Sequence, residues 1–246
     1  MPPAGEVESA TVVSVNVGRP RERSWAGIGR TSIDKRPVSG PLRARRLGLD
    51  GDQVSDTRHH GGVDQAVYAF AREDLDEWAA ALGQPLRDGH FGENLTTRGI
   101  DVNGAEIGER WRVGTVLLEV SSVRIPCNDF KGWLGHEEMD NRAWVKRFTA
   151  RHRPGPYLRV LEEGTLKAGD RIDVVHRPGH GVTVTGMFRA LTTDPLLLPE
   201  LLRVEGLVLE ARQRAERHVA RRALAQEALP EPALSSTRSG STSPLP

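Results

Sequence analysis

The amino-acid sequence predicts a mainly β protein that closes as a barrel or sandwich and carries helices. Three observations predict it. Short runs rich in β-branched and apolar residues recur through the first two thirds of the chain, separated by Gly, Pro and Asp clusters. In the longest run Val116, Leu118 and Val120 alternate with Leu117, Glu119 and Ser121, which makes one face strongly apolar and the other mixed. Beyond about residue 179 this rhythm gives way to a segment rich in Leu, Ala, Arg and Glu.

In chain order the expected strands are "TVVSVNV" (11–17), "QAVYAF" (65–70), "TVLLEVSSV" (115–123), "YLRVL" (157–161) and "DRIDVV" (170–175). A helix is expected over "EDLDEWAAAL" (73–82), where Leu75, Trp78, Ala79 and Leu82 share one stripe before Gly83 and Pro85 stop it. A second is expected over 141–150, with Asp140 as N-cap and Trp144, Val145 and Phe148 buried. Past "HRPGHG" (176–181), residues 182–229 read as two or three helices. The division that follows is a β domain at 1–178, a small helical domain at 179–229 and a Ser-, Pro- and Gly-rich tail at 230–246, expected to be disordered.

Composition narrows the function classes. With 246 residues, 37% hydrophobic content and a net charge of +1, the chain can bury a sizeable core. The start, "MPPAGEVESATVV", lacks a basic region followed by an apolar stretch, and no segment approaches the roughly 18 apolar residues of a membrane span, so a cytoplasmic protein is expected. A single cysteine, Cys127, excludes an internal disulfide, a cysteine-rich zinc site and an iron–sulfur cluster held by this chain alone.

Charge is unevenly spread. Arg19, Arg21, Arg23, Arg30, Lys35, Arg36, Arg43, Arg45 and Arg46 face only Glu22 and Asp34 within the same stretch, which reads as an anion cradle or as a solvated basic face. Only Trp25 interrupts the run, so a nucleic-acid surface is not expected.

Three stretches carry candidate chemistry. "RHHGGVDQAVYAF" sets His59, His60, Gly61, Gly62 and Asp64 before a strand. Adjacent residues of an extended chain point opposite ways, so the two histidines are poorly placed to share a metal, while the glycines allow close backbone approach to a ligand or simply form a turn. "HFGENLTTRG" offers Glu93, Asn94, Thr96 and Thr97 as hydrogen-bonding groups for a heterocycle edge or a phosphate, unless it is a plain loop. "SVRIPC" delivers Arg124, Pro126 and Cys127 at a strand end, where Pro126 stops the pairing and leaves Cys127 at the rim, as a ligand, a nucleophile or an inert core thiol.

These stretches, with "TSIDKRPVSGPL" and "GPYLRVLEEGTLKAGDRIDVV", stand in one order from about Ser14 to Val175, and in that order they resemble the MOSC family, the domain named for the C-terminal part of molybdenum cofactor sulfurase. The helical remainder is similar to the trailing domain of a bacterial branch that reduces N-hydroxylated bases. The resemblance implies a mixed β-barrel binding the pterin molybdenum cofactor, with Cys127 as its metal ligand. It implies that Lys35 helps hold the pterin phosphate and that His60, Gly61, Gly62 and Asn94 line the site; Leu95 and Arg124 complete the cofactor-binding set. Two departures stand out: Glu109 after Gly108 where Asp is usual, and Val123 where a proline often precedes the arginine.

The implied reaction is two-electron reduction of an N-hydroxyl group in compounds such as hydroxylaminopurines or amidoximes, with His60 or Asp64 relaying protons. No glycine fingerprint for a flavin or nicotinamide follows a strand, so electrons are expected from a separate flavin-containing protein. The trailing helices could pack on the barrel, pair with a second copy of the chain or dock that donor. Pyridoxal phosphate is not expected here, because it belongs to relatives fused to a cysteine desulfurase, which this chain is too short to contain. Two other readings are a sulfur-carrier or cofactor-handling module with a persulfide on Cys127, and a cysteine hydrolase with Cys127 activated by a histidine.

Overall fold

The computed structural model describes residues 9–227, so the tail expected at 230–246 lies outside the described residues. The strands are β1 (Thr11–Val17), β2 (Arg21–Glu22), β3 (Arg30–Thr31), β4 (Arg36–Pro37), β5 (Leu42–Arg45), β6 (Gly48–Leu49), β7 (Val67–Ala71), β8 (Leu95–Arg98), β9 (Arg110–Val113), β10 (Val116–Val123), β11 (Pro156–Glu162), β12 (Gly164–Leu166) and β13 (Ile172–His176). The helices are α1 (Arg72–Leu82), α2 (Asn128–His136), α3 (Trp144–Arg151), α4 (Val184–Thr192) and α5 (Leu209–Glu227), with 3-10 segments at Val63–Gln65 and Pro195–Arg203.

Eight strands form one sheet in the order β13-β9-β10-β11-β7-β8-β1-β4, antiparallel except for β7 and β8. Parallel neighbours need a crossover, and α1 supplies it. The sheet curls until β1 meets the start of β13. Val12 N donates to Asp170 O (2.9 Å), Gly169 N to Val12 O (2.8 Å) and Ile172 N to Ala10 O (2.9 Å). The expected barrel is therefore a curled sheet joined along a short seam rather than one continuous ladder. Smaller sheets, β12-β5-β6 and β2-β3, flank it.

All five expected strands are present, shifted by at most two residues at either end. The mixed face of β10 is buried as well: Glu119 pairs with Arg110 (2.8 Å) and Arg159 (3.2 Å), Ser121 Oγ donates to Asp64 O (2.6 Å), and α4 packs against the strand. Met187 and Phe188 of α4 belong to the same apolar cluster as the sheet core.

Helix α1 buries Leu75 and Trp78 as its stripe predicts, and Gly83 ends it in the left-handed conformation at φ 68°. The helix expected at 141–150 begins instead at Trp144. Asp140 does not cap it; its carboxylate accepts from Arg142 N (3.1 Å) and Arg142 Nε (2.8 Å), and Ala143 takes a left-handed φ of 48° before the first turn. Val145 lies 37% exposed, one step round from the buried face of Trp144 and Phe148.

Helix α2 has no clear signature in the sequence. "NDFKGWLGH" holds two glycines, which oppose helix formation by about 1 kcal/mol each. Gly132 is required by packing, since a Cβ there would sit 2.5 Å from Trp25 Cε3. The helix is secured by Phe130, which meets Phe91 (4.9 Å), Trp144 (5.1 Å) and Phe148 (5.4 Å) edge to face.

His90 precedes this aromatic core and accepts from Trp133 Nε1 through its carbonyl (2.8 Å). Burial, with Arg87 nearby, lowers its imidazole pKa to about 4. The unfolded chain takes up that proton near pH 6.5 and the folded chain does not, so stability is full above that value and falls as pH drops towards 4, by about 3 kcal/mol. His90→Leu should remove this loss. Urea midpoints of both proteins measured from pH 4 to 7 isolate it, because Glu93, whose carboxyl is pushed up to about 7 by burial, titrates in each. Parallel curves would mean that His90 is protonated in the fold.

Candidate functional site

Pro126 and Cys127 turn the end of β10 into α2, and Cys127 occupies the extended residue (φ −124°, ψ 173°) just before the helix. The thiol is half-buried and stands on the wall of a cavity of about 590 Å³. Helix N-termini favour negative charge, so the position suits an anionic sulfur.

Arg124, also on that wall, is 7% exposed. Its guanidinium lies over the rings of Tyr68 (5.2 Å) and Phe130 (5.0 Å), which accept a cation by their faces. Among the described residues it forms no salt bridge, and its buried Nε has no acceptor.

Lys35 reaches the cavity from the loop after β3. It is 8% exposed and its Nζ donates to both oxygens of Asp52 at 2.5 Å. Burial lowers its pKa, and the neighbouring Asp52 opposes that effect. Asp52 also accepts from Gly18 N (2.7 Å) and Asn94 Nδ2 (2.9 Å), while Asn94 Oδ1 accepts from Tyr68 N (3.1 Å). Three stretches far apart in sequence are thus locked together by one carboxylate.

His60, Gly61 and Gly62 line the cavity. Burial first, then the charge of Arg124, lowers the His60 pKa and favours neutral imidazole. The two glycines have φ of 81° and 79°, a region that side chains disfavour, and they let the backbone form the wall directly. His59 turns out to solvent and pairs with Asp56 (2.9 Å), so the two histidines do diverge.

Two proposed residues are elsewhere. The Asp64 carboxylate pairs with Arg159 (2.8 Å) and does not line the cavity. Leu95 is fully buried in β8 opposite Val15 and Ala69, so it packs the core behind Asn94. Of the nine residues of the basic run, Arg30, Lys35 and Arg45 line the cavity. Arg21 and Arg36, with Arg87 from outside the run, converge on Asp34 (3.4, 2.7 and 2.7 Å) and Arg43 faces Glu163 (3.8 Å), so these three members of the run lie in ion pairs away from the cavity. The departures Glu109 and Val123 are not in the lining. Glu109 accepts from Trp111 Nε1 (2.7 Å) and pairs with Arg177 (3.0 Å), and Val123 is buried opposite Pro156.

Asp52, Gln65, Tyr68 and Tyr157 line the cavity and were not singled out from sequence. The signal for Asp52 was present in "GLDGDQ", but an aspartate among glycines reads as a turn.

Fold and site define a curled mixed-sheet protein with a cavity whose wall carries buried charges, and with its single thiol at a helix N-terminus. Residues 56–173 match the MOSC domain. The chain is 33% identical to YflK of Bacillus subtilis (strain 168) over 178 residues, covering 72% of this chain and 78% of that protein. It is 35% identical to protein YiiM of Escherichia coli (strain K12) over 150 residues, covering 60% and 65% respectively. The crystal structure of YiiM from Geobacillus stearothermophilus superposes with a TM-score of 0.69 at 24% identity, over 85% of this chain and 99% of that one. The chain belongs to the MOSC family. Among the described residues, no helix is long and apolar enough to cross a membrane.

Proposed function

We propose that the chain is a molybdenum-cofactor-dependent reductase of N-hydroxylated compounds, with Cys127 as the protein ligand to the metal. The observation that carries the reading is Arg124, a buried guanidinium without a carboxylate partner, three residues before the lone thiol on the same cavity wall. An unpaired buried charge costs several kcal/mol, so such a wall favours an anionic occupant. Among the described residues no three His, Cys, Asp or Glu side chains converge on a metal position, and a soft thiolate completing a set of sulfur ligands brought by the cofactor fits that arrangement.

When bound, the cofactor supplies two-electron chemistry, by which R–NHOH, two electrons and two protons give R–NH2 and water. The chain's residues do the rest. Cys127 would hold the group through sulfur and Arg124 would answer its negative charge, while the Lys35–Asp52–Asn94 lock holds the cavity wall in register. Neutral His60 has a ring nitrogen able to hold and pass a proton at the cavity wall. Asp64, held by Arg159, is not used as a relay.

Protein purified from a host that makes the cofactor should carry about one molybdenum per chain by elemental analysis. It should reduce benzamidoxime with reduced viologen but not with NADPH alone, and an added flavin reductase should restore NADPH dependence. Absence of molybdenum together with absence of viologen-driven turnover sinks the reading. NADPH oxidation by the isolated chain, coupled to amidine formation, would reveal an electron-entry site of its own.

A further inference from the structure

We propose that Gln65 reads the substrate: its side-chain oxygen accepts an N–H that neighbours the N-hydroxyl group, so the cavity selects amidoximes and amino-heterocycles with a free N–H. The assignment rests on the reductase reading for its substrate.

Most polar groups of the cavity wall are already engaged. Lys35, Asp52 and Asn94 bond one another, Arg45 holds Asp50 (2.6 Å), Ser32 and Ser55 share a hydrogen bond (2.7 Å), and Asp129 accepts from Gly27 N (2.8 Å). Arg124 Nε and Gln65 Oε1 are buried and without a partner. They ask for opposite things. An anion presents acceptors, which suit Arg124 and do nothing for an amide oxygen; only a donor suits Gln65. Leaving a buried acceptor unpaired is costly, so a ligand that carries the matching N–H is favoured over one that does not.

The turn that carries Gln65 is also held in place. Gln65 closes the 3-10 turn Val63–Gln65, with its N–H on Gly62 O (3.2 Å). That turn is fastened to the sheet by Ser121 Oγ on Asp64 O (2.6 Å) and by the Asp64–Arg159 pair (2.8 Å). Asp64 thereby becomes a positioning residue, acting through its neighbour. A fixed backbone beneath an unpaired acceptor favours discrimination between ligands.

The test uses two probes, benzamidoxime and its N,N-dimethyl analogue, which lacks the N–H donors. Binding to the molybdenum-loaded protein is followed by calorimetry, KM and kcat with reduced viologen, and molybdenum content by elemental analysis. The wild type should favour benzamidoxime by about tenfold or more in Kd and KM. Gln65→Leu should bring that ratio close to one without loss of molybdenum, and Gln65→Glu, which keeps an acceptor, should preserve it. A preference that survives in Gln65→Leu is steric and overturns the assignment, as does equal binding of both probes by the wild type. Loss of molybdenum from Gln65→Leu would move the contact to the cofactor and overturns it too. Selective binding without viologen-driven turnover keeps Gln65 as the selector and sinks the reductase reading instead.

Discussion

Cys127→Ala is expected to abolish N-hydroxyl reduction while leaving the fold in place. Even second-shell partners of a metal site cost 10- to 100-fold when removed, so loss of the ligand itself should cost at least about 100-fold in kcat/KM. The thiol is half-buried at the wall of an existing cavity, and α2 is held by Phe130, Trp133 and Leu134 rather than by sulfur. Truncation should therefore change unfolding free energy by no more than about 1 kcal/mol. Cys127→Ser retains the shape but offers a hard oxygen in place of a soft sulfur, and should be almost as inactive. Activity assayed alongside molybdenum content checks this. Variants that keep both would remove Cys127 from the site, and a cyanide-labile sulfur on molybdenum-free wild type would make the chain a persulfide carrier.

The second large effect falls on stability. Lys35→Met leaves the Asp52 carboxylate buried with only an amide and a backbone N–H as partners, and breaking a buried pair from one side costs about 3–5 kcal/mol. For a chain of this size that is roughly 6–20 °C in Tm. Lys35→Met with Asp52→Asn removes the stranded charge and should recover most of the loss, a coupling that the four-member cycle of unfolding measurements reads directly. Arg214→Ala, on the exposed face of α5, is the control and should stay within about 0.5 kcal/mol. Arg151 would be a poor control, because its guanidinium lies 3.8 Å from the centroid of the Trp78 ring. A double variant no more stable than the single one would mean that the ion pair does not hold the wall.

What could be read from the sequence follows the range of the forces involved. The β-branched runs announced β1, β7, β10, β11 and β13 because alternation is local, and the stripe of α1 was visible for the same reason. Helix α2 was hidden because its Gly132 answers to Trp25, a residue remote in sequence. Cys127, Lys35, His60 and Arg124 were legible as residue types at marked positions, and the structure gathers them at one cavity. Their meaning was not legible. That Lys35 is engaged by Asp52 while Arg124 lacks a carboxylate is a fact about neighbours drawn from distant segments. Asp64 failed as a cavity residue because the chain forms a 3-10 turn there, and the turn aims its carboxylate at Arg159, a residue remote in sequence.

The seam between β1 and the start of β13 also bears on how the molecule is made. Synthesis runs from the N-terminus, so β1 emerges first, yet its partners in β8 and at residues 169–172 come much later. Until then the strand has only the two-residue pairing with β4. Contacts so distant in sequence close slowly, because loop entropy must be overcome before the pairing rewards it. The nascent chain thus carries β1 without its ladder partner until β8 is made and with one edge still open until residues 169–172 follow, so completing the seam is a late event that closes the last free edge of the strand.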